Sequence, residues 1–408
     1  MKLFRHLLPA LGLMAALAMP AQAETPAPDS GKAAEANNAF AAALYQQLDQ
    51  KSGNIFFSPQ SISSVLAMAY AGAAGDTAAE LKAVLHDDLG SEKLQPALGA
   101  LLRDFNAGGA AGGYKLDVAS SLWVEKTYAL KDDYKKIIAG SYGAAPDAVD
   151  FAGAPDTARE AINAWALDHT GQKIKDLLPK GSISSATRLV LASAIYFAGD
   201  WETVFEHENT QDSAFTAAPD KKPLVPMMSH KFGGCGAKYW QDDNMQALSL
   251  PYKGGRLSML ILLPDAKTSL ADVEKALTPE KLIGWLAHKT ECPDVMVHLP
   301  KFTMDYNADV LAALQPLGLT KAAEAGAADF SGISGNRDLF ISGVFHKAYV
   351  HVDEEGTVAA AATAMAMAGS AAPMAPPVEF NADHPFLFLI RDDKTGTILF
   401  MGRVADPS

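Results

Sequence analysis

Cysteine, positive charge and enzyme signatures are what this 408-residue chain has least of. Only Cys235 and Cys292 are present; they have no metal-ligand spacing and form no Cys-x-x-Cys pair, and the sequence leaves open whether they meet in a disulfide. Lys and Arg number 34 against 47 Asp and Glu, a formal net charge of -13, which excludes nucleic acid as an expected partner and favours solubility. There is no Gly-x-Ser-x-Gly elbow, no His-Glu-x-x-His and no phosphate loop ending in Lys-Ser/Thr, so hydrolase, zincin and nucleotide chemistry have no carrier. The ten histidines are scattered singly, apart from His346 and His351. An enzyme, a metal site or a cofactor is therefore not expected.

Long apolar runs are missing too, except at the amino terminus. There Lys2, Arg5 and His6 precede an apolar stretch from Leu7 to Met19, followed by Ala21-Gln22-Ala23. The pattern predicts a signal peptide over residues 1–23. The run contains Pro9 and falls short of the roughly 20 residues of a membrane-spanning helix, so no membrane association follows. Export to a periplasmic or extracellular space is the expectation, and such a space permits a disulfide. Residues 24–36, ETPAPDSGKAAEA, read as a flexible leader, and 37–408 as one domain.

With 49% hydrophobic and 20% charged residues, the chain is globular with a large core. Phe40, Leu44, Tyr45 and Leu48 recur at helical spacing. Asn54–Leu85 holds a short strand, a Ser-Pro helix start and two helices parted at Gly75. Residues 116–124, 188–201, 245–252 and 257–264 are β-rich runs; the second is apolar on both faces and belongs inside a sheet covered on both sides. A mixed α+β protein around a large sheet follows.

One stretch stands apart. Between Glu355 and Glu379 lie 23 residues without a charge, mostly Ala and Met and ending in prolines. Ordinary loops run about 4 to 6 residues, and long ones usually carry function. From Thr357 to Ala372 there is neither proline nor charge, and at period two each face carries only small or apolar side chains and threonine. Such a segment can become a buried central strand, since every backbone N–H is free to pair. The 14 residues Thr357–Ser370 would span about 46 Å as a strand. Gly356 supplies a pivot.

Seven segments, in order along the chain, resemble the serpin family: NIFFSPQS (54–61), LVLASAIYFAGDWETVFE (189–206), VPMM (225–228), HLPKF (298–302), ADFSGIS (328–334), FHKAYVHVDEEGT (345–357) and HPFLFLIRDDKTGTILFMGRVADP (384–407). The resemblance implies a fold of three β-sheets and eight to nine helices, with residues 353–380 as hinge and exposed reactive-centre loop. It implies a monomeric suicide-substrate inhibitor of serine, or cysteine, endopeptidases, here of a bacterial-type exported member. The protease cuts the loop, is held as a covalent acyl-enzyme, and is carried along as the loop enters the central sheet. The alternative is a non-inhibitory serpin-like binding or chaperone protein.

Carried over residue by residue, the hinge is Glu354, Glu355, Gly356, Thr357, Val358, Ala359, Ala360, Ala361, Ala362 and Thr363; Val358 stands where the family usually has Glu. Glu354 resembles the acid that pairs with the lysine matched by Lys301 at the top of the sheet, with Trp201 beneath. Ser58, Ser61, Ser193 and His346 match the polar cluster where the central strands part, Ser193 replacing the family's Asn. Counting along the loop from Glu354 puts the reactive bond at Ser370-Ala371; the bait Ala-Ala-Pro-Met offers Met374-Ala375 instead. Neither carries Lys or Arg, so elastase-like or subtilisin-like proteases fit better than trypsin-like ones.

Overall fold

A computed structural model describes residues 29–48, 52–110, 112–143, 146–242, 244–357 and 376–408. The expected three sheets are present, with ten α-helical segments among the described residues, eight of them seven residues or longer. The helices are α1 (Ser30–Leu48), α2 (Pro59–Tyr70), α3 (Gly75–Val84), α4 (Ser91–Ala110), α5 (Asp132–Tyr142), α6 (Pro155–His169), α7 (Leu270–Ala276), α8 (Pro279–Leu286), α9 (Leu311–Leu314) and α10 (Ser331–Ser334).

The central sheet has the order β11 (Phe302–Asp309), β12 (Ile341–Val352), β13 (Gly356–Thr357), β4 (Leu189–Asp200), β2 (Tyr114–Glu125) and β3 (Asp147–Val149). A second sheet runs β1 (Ile55–Phe57), β16 (Ile398–Val404), β15 (Phe386–Asp392), β9 (Leu257–Pro264), β8 (Met245–Pro251) and β7 (Lys238–Gln241). The third is β14 (Val378–Asn381), β10 (Val295–Pro300), β6 (Leu224–Phe232) and β5 (Gln211–Ala214).

The doubly apolar pattern of β4 has the expected cause. Leu189, Leu191, Ile195 and Phe197 join the main core, while the alternate residues Val190, Ala192 and Ala194 join a second core with Ile162 and Ala166 of α6. Period-two alternation thus feeds two apolar layers, one on each face of the sheet. On the main-core side, α2 starts where the Ser58 side chain accepts the Ser61 N–H and Pro59 opens the first turn. Every residue of α2 is buried.

Part of the segment expected to be a flexible leader, 24–36, is helical. α1 already begins at Ser30, and Ala33 and Ala34 are 1% and 2% exposed. Alanine is the strongest helix former, and once packed it favours helix over an extended leader. Residues 1–28, including the predicted signal peptide, lie outside the described residues. Cys235 and Cys292 do meet: their disulfide, with Cα atoms 4.6 Å apart, ties the segment after β6 to the one before β10. Among the described residues no helix is long and apolar enough to cross a membrane.

Candidate functional site

The functional site grows from how β12 and β4 share an edge. From Ile341 opposite Leu189 to Tyr349 opposite Tyr196 the two strands pair directly and in parallel. Above that they are separated. The chain leaves β12, turns through Asp353, Glu354 and Glu355, and comes back between them as β13, with Thr357 opposite Val352 on one side and Gly199 on the other.

This turn needs its residues. Asp353 Oδ1 accepts the N–H groups of Glu355 and Gly356, both at 3.2 Å, and the Asp353 N–H donates to the Gly356 carbonyl at 2.9 Å. Gly356 has φ +153°, and a Cβ there would stand 2.1 Å from the Gly199 carbonyl oxygen. Glycine alone fits, and the pivot read from the sequence is also a point of close backbone approach.

The segment after β4 grips this turn. The Trp201 N–H donates to the Glu355 carbonyl at 2.8 Å, the Phe205 N–H to that of Glu354 at 2.9 Å, and Trp201 Nε1 to that of Asp353 at 3.0 Å. Trp201 stacks on Tyr252, ring centroids 4.7 Å apart, and the Tyr252 hydroxyl bonds Thr357 Oγ1 at 2.8 Å. Glu354, 2% exposed, receives Lys301 Nζ at 2.6 Å and the Thr210 hydroxyl at 2.8 Å. Burial pushes its carboxyl up, but the bonds from Lys301 and Thr210 outweigh it and hold the group below its ordinary value. His207 faces Glu354 and Glu355, Nε2 lying 2.6 Å from Glu355 Oε1. Ligand-type atoms of His207, Glu354 and Glu355 lie within 4.8 Å of one another, but Lys301 and Thr210 already occupy Glu354, and the cluster is an ion-pair network.

Lower down, where β4 and β12 pair directly, a second polar cluster joins them to α2. The Ser58 backbone N–H donates to His346 Nε2 at 3.1 Å, so the ring proton sits on Nδ1, which lies 3.1 Å from Ser193 Oγ and donates to it. Ser193 and Ser61 hydroxyls are 2.5 Å apart. His346 is fully buried, and burial pushes its pKa from 6.5 to about 3. The sign follows from linkage: the unfolded chain takes up this proton near 6.5 and the folded protein does not, so the stability present above that pH is lost as pH falls toward 3. Between pH 7 and 4.5 wild type should lose up to about 1.4 kcal/mol per pH unit more than His346→Gln. Urea midpoints of the two proteins across that range would check it, and parallel profiles would refute it.

Trp201, Lys301 and Glu354 are thus brought together, as are Ser58, Ser61, Ser193 and His346. Of the residues expected to form the hinge, Glu354 and Glu355 lie in the turn and Gly356 and Thr357 in β13; Val358, Ala359, Ala360, Ala361, Ala362 and Thr363 lie outside the described residues, as do Ser370, Ala371, Met374 and Ala375. Sequence reasoning missed His207, Thr210 and Tyr252. No local pattern marks them, because the partners of Thr210 and Tyr252 in the turn lie more than 100 residues further along the chain.

A large sheet that admits Gly356 and Thr357, the head of the long charge-free segment, between its central strands defines a class of protein that can add a segment to its own sheet. The chain belongs to the serpin family: the profile for serpins, serine protease inhibitors, matches residues 35–407. It is similar to the leukocyte elastase inhibitor of Equus caballus, 42% identical with 91% of this chain and 98% of that protein covered, and to Serpin B3 of Homo sapiens, 39% identical with 91% and 99% covered. Among solved structures, uncleaved ovalbumin matches with a TM-score of 0.82 at 30% identity, covering 92% of this chain and 99% of that one.

These relatives correct one expectation. The leukocyte elastase inhibitors and serpins B3, B4 and B6 are intracellular members of the family without signal peptides. They are matched over 98% or 99% of their own length by about nine-tenths of this chain. They overturn the periplasmic or extracellular location, and none of those named is a bacterial-type exported member. A basic start, an apolar run and small residues are too short a pattern to set a location by themselves.

Proposed function

We propose that the protein is a suicide-substrate inhibitor of elastase-like or subtilisin-like serine endopeptidases, acting as a monomer through a covalent complex. One observation carries the reading: Gly356 and Thr357 already lie between β12 and β4, at the top of a seam where those strands otherwise pair directly. A loop whose leading end is in register extends inward by exchanging β12–β4 bonds for two new edges, which is downhill once cleavage frees its other end. Residues 30–408 form the inhibitory domain, Glu354–Thr363 the hinge, Trp201, Lys301 and Glu354 the point of entry, and Ser58, Ser61, Ser193 and His346 the closure below it. Ser370-Ala371 is the reactive bond, with Met374-Ala375 the competing site.

Relatives named for inhibition of leukocyte elastase support the target class, as does a bait without Lys or Arg. Mixing the protein with an elastase should give an SDS-resistant complex and a released carboxy-terminal peptide beginning at Ala371. Complete cleavage with neither complex nor gain in heat stability would exclude the inhibitor.

A further inference from the structure

We infer that His207 is a positioning residue for loop entry: as an imidazolium it bridges Glu354 and Glu355 and keeps the turn before β13 seated between β12 and β4. The residue opens a single 3-10 turn, His207–Asn209, two residues after Phe205, whose N–H is bonded to the Glu354 carbonyl. Its Nε2 is 2.6 Å from Glu355 Oε1 and its Nδ1 is 3.5 Å from Glu354 Oε1. A neutral imidazole has one N–H and one lone pair, so both nitrogens can face carboxylates favourably only when the ring is charged. With the charge, His207 and Lys301 balance Glu354 and Glu355. Without it, one carboxylate is left over beside a lone pair.

The surrounding charges do not remove that asymmetry. Lys301 faces the cluster from the β10–β11 junction and is committed to Glu354 Oε2. Glu206 is paired with His230 of β6 at 2.8 Å, Asp353 with His351 of β12 at 3.2 Å, and Glu208 flanks the ring in sequence. The hydrogen bond to Glu355, then the charges of Glu354 and Glu355, raise the His207 pKa above 6.5 against small opposing effects of desolvation and Lys301. A raised folded value means that the bridge's contribution is complete below 6.5 and is lost as pH rises through the folded pKa. The consequence concerns partition. While β13 is seated, insertion has its first two residues in register; when the turn loosens, more acyl-enzyme hydrolyses before the loop enters.

This inference rests on the inhibitor reading for its functional consequence, and the test separates the two. Wild type, His207→Gln and His207→Lys are compared from pH 6 to 9, reading amide-exchange protection at Gly356 and Thr357 and the number of inhibitor molecules consumed per elastase trapped. Wild type should lose protection and consume about two- to fivefold more inhibitor as pH rises, the span an exposed ion pair supports. His207→Gln should give the high-pH behaviour throughout and His207→Lys the low-pH behaviour. A Gln variant with the wild-type profile, or a Lys variant matching Gln, overturns the inference. Absence of any complex at every pH overturns the inhibitor reading instead, and amide protection still decides the role of His207.

Discussion

Replacing Thr357 by arginine should turn the inhibitor into a substrate. Thr357 is fully buried, lies between Val352 and Gly199, and bonds the Tyr252 hydroxyl. A guanidinium there would be stripped of water with no acid to pair it, a cost of several kcal/mol. The strain is avoidable, because residue 357 can leave the seam, so the uncleaved protein should still fold. What is lost is the start of insertion. The protease should cut the same bond, yet the yield of SDS-resistant complex should fall about tenfold or more, since 1.4 kcal/mol against insertion suffices for each factor of ten. Thr357→Ser keeps the hydroxyl and the size and should trap normally. An arginine variant with undiminished complex would mean that entry does not begin at β13.

The second large effect is expected at Lys301. Its ammonium is 2.6 Å from a Glu354 carboxylate whose side chain is 3% exposed. Lys301→Met removes the cation and leaves that carboxylate buried with Thr210 and His207. Breaking a fully buried pair from one side costs about 3 to 5 kcal/mol; the Lys301 side chain is 30% exposed, so solvent screening brings the expected loss down to about 1 to 3 kcal/mol, and it falls on the turn that seats β13. The variant should unfold at lower temperature, with the turn before β13 opening first.

The pH dependence supplies a check with a definite sign. The Glu354 carboxyl is held below its ordinary 4.5 in the folded protein, so its contribution is present above 4.5 and lost as pH falls through the folded value. The gap in stability between wild type and Lys301→Met should therefore be full at pH 7 and shrink in strong acid. Thermal unfolding at pH 7 and pH 3 measures it; a gap that widened in acid would contradict the ion pair.

Several features were legible without coordinates because they depend on short-range chemistry. The β4 pattern announced a strand covered on both sides, and Ser58-Pro59 announced a helix start, since strand alternation and the cap each involve only neighbours in sequence. The Glu354–Lys301 pair and the serine-histidine cluster came through resemblance, as such pairings span 53 to 288 residues and leave no periodic trace. The start of α1 was misjudged because Ala and charge suit a leader as well as a helix, and packing of Ala33 and Ala34 decided between them. The export expectation rested on a short terminal pattern alone, and the relatives of the chain overturn it.

By itself the sequence determined a chain with a large apolar core, no enzyme motif, and a long charge-free segment able to act as a strand. Those properties depend on composition, period and the absence of proline and charge, which a linear text contains in full. Only the tertiary structure decided that Gly356 and Thr357 already sit between β12 and β4, that Cys235 meets Cys292, and that His207 faces two carboxylates at the turn. Each of these joins residues from distant parts of the chain or sets a register, and such contacts are selected by global packing, not by neighbouring residues.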